Sequence, residues 1–277
     1  MKEILARGRT LPEAYHNAIA ALHDEGEVLS AKDWNQSQKE VSMTFVASEP
    51  LAEPMVSKLF IGGFRELQQY VMEILDGVLD FKIGEGWDYT YHDRMVNFPM
   101  VDSSEAAGAA EAIGVSGGKP GTIDQVKYVI HELKRQPDSR RAVMAIRDNS
   151  VDPFSADPAC LQHVQYFIRE GALHCKVMMR SNDAPKASFM NAFAFVMLQK
   201  SVAEALDVPV GSYAHRANSY HAYSRDFGML EQYAHAIATK SIDEITYEYE
   251  DFFRELMEES VPAILAQVGE LKRKSDG

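Results

Sequence analysis

The 277-residue chain has only two cysteines, Cys160 and Cys175. Two thiols cannot supply the disulfide framework of a small secreted domain. The N-terminus, MKEILARGRTLPEAYHN, has neither the apolar stretch nor the small-residue cleavage site of a signal peptide. A reducing, cytoplasmic setting is therefore expected. No run of about 18 apolar residues occurs, which excludes a membrane-spanning helix. Basic residues are also scarce, 28 against 41 acidic, for a net charge of −13. Such a surface disfavours nucleic acid and anionic membrane, so an anionic ligand must meet a locally basic pocket.

What is present describes one substantial core. Hydrophobic content of 46% with 25% charged residues is ordinary for a globular protein. LPEAYHNAIAALHDEG reads as an amphipathic helix with Pro12 near its start and Gly26 at its close. EVSMTFVAS alternates as a strand, and FRELQQYVMEILDGVLDF has helical spacing. Residues 101–122, small, Gly-rich and aperiodic, read as a flexible loop or insertion. Thr122 and Gln125 form a capping-box pattern ahead of QVKYVIHELKRQ. AVMAIRD, HVQYFIRE and LHCKVMMRS read as strands, the last two joined at Gly171. FMNAFAFVMLQKSVAEALDV is apolar nearly all round, as a buried helix is. SIDEITYEYED reads as a strand, and the last helix as interrupted at Pro262. The expected fold is a single α+β domain spanning 1–277, with helices packed on a mixed or mostly antiparallel sheet.

Cys160 lies in DPACLQHVQYF, between a proline turn and an alternating apolar run. Cys160, His163, His174 and Cys175 have the residue types of a zinc site, but His174 and Cys175 are neighbours in a strand and point to opposite faces. No metal is expected. A free cysteine is most often a buried apolar filler, and Cys175 fits that description. Cys160 enters its strand after Asp-Pro, where a side chain can face a cleft. Cations would lower its pKa and make it a nucleophile. Arg140 and Arg141 in PDSRR and Arg180 in RSND are the candidates. A basic doublet is by default a solvated surface pair, whereas Arg180 ends an apolar strand, where a charge needs a partner.

PDSRR, then Cys160, RSND, Asn191 and SYHAY resemble, in order and spacing, the thymidylate synthase family. The resemblance covers residues 122–227 strongly. EPLAEPMVSKLF, LQQYVMEILDG and GWDYTYHDRM extend it loosely to the archaeal-type members. It implies that Cys160 adds to C6 of a pyrimidine nucleoside monophosphate. C5 then attacks the one-carbon unit of 5,10-methylenetetrahydrofolate, the cosubstrate. By the same resemblance, Arg180 and Ser181 hold the 5′-phosphate, and Arg140 and Arg141 reach it from the second subunit of an obligate homodimer. His221 and Tyr223 bind the ribose hydroxyl, and Asp183 is the folate-binding aspartate. Read singly, His221 is also a core histidine and Tyr223 an interface tyrosine.

Asn191 would read the base edge. Uracil offers an N3–H donor and an O4 acceptor, cytosine the reverse, and an amide matches either in one of its two flips. Family members that use cytidylate can carry Asp here, so Asn leans toward uracil. Leu161 follows the nucleophile where many members have His, removing one restraint on the base. Glu73 is the candidate for the family's proton-moving glutamate, since its apolar flanks would raise its pKa; Glu66 is its rival.

Three departures from the family pattern bear on the product. The N-terminal phosphate loop usually carries Arg, but AKDWNQSQKE has only Lys32 and Lys39. GELKRKSDG lacks the short apolar tail that many members fold over the folate, as archaeal-type members also do. The 101–122 stretch has no recognisable folate contacts. An incomplete lid favours water over hydride at the exocyclic methylene. The leading expectation is thus a 5-hydroxymethyl nucleotide from dUMP or a cytidylate. Thymidylate synthase proper comes second, and a nucleotide- or RNA-binding regulator on the same fold is the alternative from another class.

Overall fold

The computed structural model describes residues 1–32, 35–101 and 104–275, without the side chain of residue 251. The N-terminal half runs β1 (Glu3–Gly8), α1 (Leu11–Glu25), β2 (Glu27–Ala31), β3 (Gln36–Ala47), β4 (Val56–Ser57), α2 (Phe64–Leu75), α3 (Tyr91–Val96), β5 (Phe98–Pro99), α4 (Ser104–Ala112), β6 (Thr122–Ile123) and α5 (Gln125–Arg135). Then follow β7 (Val143–Ala145), β8 (Leu161–Arg169), β9 (Ala172–Asp183), α6 (Ser188–Leu206), β10 (Val210–Tyr223), α7 (Phe227–Thr239), β11 (Thr246–Tyr247) and α8 (Arg254–Ser275).

Local chemistry sets the first helix. The Thr10 hydroxyl accepts from Glu13 N at 3.3 Å while the Glu13 carboxylate accepts from Thr10 N at 3.1 Å, a reciprocal cap. Leu11, Ala14, Tyr15, Ala18, Ile19 and Leu22 form the buried stripe. Each large apolar side chain so buried contributes about 1.5–3 kcal/mol. The main sheet orders its strands β1-β3-β10-β9-β8-β7, with β2 paired to β3. β1–β3 and β9–β10 are parallel and the other pairs antiparallel, so the sheet is mixed, as expected. α6 is buried nearly all round, from Phe189 to Ala203. No helix among the described residues is long and apolar enough to cross a membrane.

One irregularity positions the site. Buried positions alternate along β9 through Leu173, Cys175, Val177 and Met179, and then the next is Asn182. β10 likewise steps from Ala217 to Tyr220, and β8 from Leu161 to Val164. Met179 pairs with both Leu161 and Ala217, and Asn182 pairs with Tyr220, so the three breaks lie side by side. The ladders shift at the same level, between Leu161 and His163 and between Ala217 and Tyr220. Bulges of this kind re-aim side chains. Cys160 immediately precedes the break on β8, and Arg180 and Ser181 lie within it on β9.

Several local expectations are corrected. The 101–122 stretch, of which residues 102 and 103 lie outside the described part, carries α4 and β6 rather than being loop throughout. α4 is Ala-rich and buries only Ala110, so it has helix propensity without an amphipathic signature. The cap of α5 is Asp124, whose carboxylate accepts from Lys127 N at 3.0 Å, not Thr122. In SIDEITYEYED a Ser241–Glu244 capping box starts a 3-10 turn, and only Thr246–Tyr247 pairs as a strand. α8 continues through Pro262, because the carbonyl that Pro262 cannot serve belongs to exposed Glu258. AKDWNQSQKE, of which residues 33 and 34 lie outside the described part, spans the β2–β3 connection; the Lys39 ammonium donates to the His23 carbonyl.

Candidate active site

Cys160 is half-buried at the mouth of β8, whereas Cys175 is buried within β9. The chain around Cys160 is tied to Arg180. Arg180 N donates to the Cys160 carbonyl at 2.8 Å, and its guanidinium donates to the carbonyls of Pro158 at 2.6 Å and Ala159 at 3.1 Å. The Asp157 carboxylate stands 4.0 Å from the same guanidinium. Burial pushes the Cys160 thiol up, Arg180 pulls it back, and Asp157 pushes it up again. A cation does act on the thiol as expected, but within this chain burial outweighs it. Burial pushes the Cys175 thiol up much further, in keeping with a core filler.

Beside Cys160 opens a cavity of about 560 Å³, with Tyr70, Glu73, Trp87, Tyr89, Tyr91 and Asp157 among its walls. Tyr70 and Glu73, three residues apart on α2, share one helix face. Burial raises the Glu73 carboxyl, an effect moderated by Gln69, which donates to it at 2.9 Å. Glu66 is spent otherwise: it is exposed and accepts from Gly63 N at 2.9 Å, closing the N-terminus of α2. Between the rival glutamates, geometry favours Glu73. Asn191, buried on α6, accepts at Oδ1 from the Tyr70 hydroxyl. Tyr91 Oη accepts from Leu161 N, the amide next to Cys160, at 3.2 Å. Burial pushes the Tyr70, Tyr89 and Tyr91 hydroxyls up, and Cys160 acts electrostatically on all three. They stay protonated and neutral around the thiol.

Past the break in the sheet, Asp183 and His221 face each other in register on β9 and β10. Burial raises the Asp183 carboxyl against the pull of His221, and burial lowers His221 against the pull of Asp183. His221 Nε2 is buried without a hydrogen-bond partner among the described residues. The Tyr223 ring meets His221 edge-on, 4.7 Å between centroids. Tyr223 also feels Asp183, Cys160 and Arg180, so these groups share one neighbourhood. Ser181 is half-buried between them on β9. Arg140 and Arg141 stand apart, exposed on the α5–β7 connection and lining a separate concavity of about 520 Å³ with Glu132 and Asp138.

Sequence reasoning missed Tyr70, Trp87, Tyr89 and Tyr91 as site residues. GWDYTYHDRM held the signal, three aromatic residues spaced by two, which no helix or strand of the core requires. Arg94 of the same stretch is buried, pairing with Asp152 at 2.9 Å and Asp148 at 3.5 Å, and so anchors the loop that leads to Cys160.

Comparison with known proteins bears on the family and the fold. The thymidylate synthase family model matches residues 64–253. A putative thymidylate synthase of Methanocaldococcus jannaschii is 28% identical over 230 residues, covering 81% of this chain and 93% of the relative. One from Methanosarcina barkeri is 22% identical, covering 82% and 93%. The thymidylate synthase of Bacillus subtilis subsp. natto is 33% identical over 110 residues, 39% of each chain. Among solved structures, thermostable thymidylate synthase A from Bacillus subtilis superposes with a TM-score of 0.60 at 16% identity, covering 82% of this chain and 84% of that one, which supports the fold. The family match spans well over half the chain and identifies this protein as a member of the thymidylate synthase family.

Proposed function

We propose that the protein transfers a one-carbon unit from 5,10-methylenetetrahydrofolate to C5 of a pyrimidine nucleoside 5′-monophosphate, with dUMP favoured. The observation that carries this reading is Cys160 held against Arg180 beside a cavity lined by Glu73 and Tyr70, the latter bonded to Asn191 behind it. Cys160 is the nucleophile toward C6. Arg180 and Ser181 take the phosphate; the Arg180 guanidinium spends Nε and one Nη2 N–H on carbonyls and keeps further donors for it. The unpartnered Nε2 of His221, with Tyr223, suits a ribose hydroxyl. Glu73, its pKa raised by burial, holds or moves a proton at O4. When bound, the folate supplies the carbon; the aromatic walls Trp87, Tyr89 and Tyr91 suit its ring, and Asp183 is the aspartate toward it. Arg140 and Arg141, exposed and away from the cavity, suit a role in the site of a second copy in a homodimer.

The leading product is the 5-hydroxymethyl nucleotide. Carboxylates line the cavity, namely Glu73, Asp80, Asp88 and Asp157, and such walls retain the water that competes with hydride. Water addition gives the hydroxymethyl group and returns tetrahydrofolate, whereas hydride transfer gives thymidylate and dihydrofolate. The second reading, thymidylate synthesis, is favoured by the names of the relatives that cover most of this chain. Product analysis in oxygen-18 water decides between them. A labelled hydroxymethyl nucleotide supports the first; an unlabelled 5-methyl product with stoichiometric dihydrofolate establishes the second.

A further inference from the structure

The Tyr70–Asn191 contact ties α2 to α6 across 121 positions of sequence. Asn191 is buried, and the Tyr70 hydroxyl is the hydrogen-bond partner of its side-chain amide among the described residues. An amide side chain is nearly symmetric in shape and opposite in chemistry at its two ends, so an isolated asparagine presents either end to a ligand. Tyr70 removes that freedom. Burial keeps its hydroxyl protonated, and the proton is spent on Oδ1. Turning the amide over would set Nδ2 against the hydroxyl and leave the half-buried Tyr70 O–H in need of another acceptor.

We propose that Tyr70 is the positioning residue behind the base preference of this site: by holding Oδ1 of Asn191 it leaves Nδ2 to meet the 4-position of the pyrimidine, selecting a 4-oxo base over a 4-amino base. An N–H donor is complemented by O4 of uracil and faces the amino group of cytosine donor to donor. Oδ1 has a second lone pair, so it accepts from the N3–H of uracil while still accepting from Tyr70. Tyr70 does not itself read the base. It denies Asn191 the flip that would accommodate cytosine. This inference rests on the reading of the cavity as a pyrimidine nucleotide site.

The test compares wild type with Tyr70→Phe, measuring kcat/KM for dUMP and for dCMP by tritium release from C5, with thermal midpoints recorded alongside. The dUMP-to-dCMP ratio should fall roughly fivefold or more, as expected for losing one hydrogen bond that enforces orientation. An unchanged or increased ratio in a folded variant overturns the proposal. A measurement on wild type alone guards against a variant that does not fold. Binding should rank dUMP tightest, the 2-pyrimidinone deoxynucleotide with no 4-substituent next, and dCMP weakest. If dCMP binds as tightly as the unsubstituted base, no donor-to-donor clash exists and Tyr70 has no such role. Covalent trapping of wild type by 5-fluoro-dUMP with methylenetetrahydrofolate separates the two levels. Failure to trap sinks the functional reading itself, whereas trapping with an unchanged base ratio sinks only the role of Tyr70.

Discussion

Arg180 grips the peptide that carries Cys160: its backbone N–H donates to the Cys160 carbonyl at 2.8 Å, and its side chain donates to the carbonyls of the two residues before it. The guanidinium thus has two tasks, holding the loop that carries Cys160 and, in the proposed reaction, binding phosphate. Arg180→Lys keeps the charge but loses the planar fork. It should lower kcat as well as raise KM for the nucleotide, because the thiol is no longer placed.

Cys160→Ser should reduce turnover at least about a thousandfold, as loss of an essential nucleophile does. Nucleotide binding, measured by calorimetry, should persist. Cys175→Ser should leave kcat near wild type and cost some stability, since Cys175 is buried in the sheet. Reversal of these two outcomes would move the chemistry to Cys175.

Asp157 is exposed and raises the Cys160 pKa by its charge. Asp157→Asn removes a negative charge that opposes the thiolate, so the thiol pKa should fall. The pH profile of iodoacetamide alkylation of Cys160 should therefore move to lower pH, with Cys175 unreactive in both proteins. A profile that stays in place would remove Asp157 as an influence.

If Arg140 and Arg141 act in the neighbouring site, an inactive Arg141→Ala chain mixed with an inactive Cys160→Ala chain should regain activity. A heterodimer contains one site with both wild-type groups, so up to about a quarter of wild-type activity is expected from random pairing. Heterodimers that form without any activity would argue that each chain supplies its own phosphate arginines.

His16 is buried against Ser57, its Nε2 2.8 Å from the hydroxyl, and burial lowers its pKa to about 4. Unfolded, it titrates near the ordinary value of about 6.5. Between those values the unfolded chain binds the proton and the folded chain does not, so stability falls as pH drops. From pH 7 to 5 this one group should cost about 2 kcal/mol. Urea unfolding at both pH values should show that much less pH dependence in His16→Gln, which cannot titrate.

Elements whose cause is local were legible in the sequence. α1 has Pro12 at its start and Gly26 at its close, and α6 has an apolar surface that only complete burial explains. Cys160, Arg180, Asn191 and His221 stand out as candidates because their spacing resembles a family. Features made by pairing were not legible. Tyr70 and Asn191 meet only once α2 lies against α6. The three aligned breaks look, strand by strand, like weak alternation, and become one feature only when Leu161, Met179 and Ala217 are set in register. α4 escaped because an exposed Ala-rich helix has propensity but no periodic apolar face.

Those breaks act on the sheet much as a frameshift acts on a gene. Upstream of them, odd-numbered residues of β9 and β10 belong to the core; downstream, Asn182, Tyr220 and Ala222 take that place, and Ser181, Asp183, Ser219 and Tyr223 are released to the other phase. Deleting one of the two consecutive non-core residues in a single strand would leave that strand one residue short against neighbours that keep both. Its pairing beyond the break would then shift by one residue relative to theirs. Length at this level of the sheet is therefore inherited jointly by β8, β9 and β10, and variation in this protein must come from changing residues there rather than from adding or removing them.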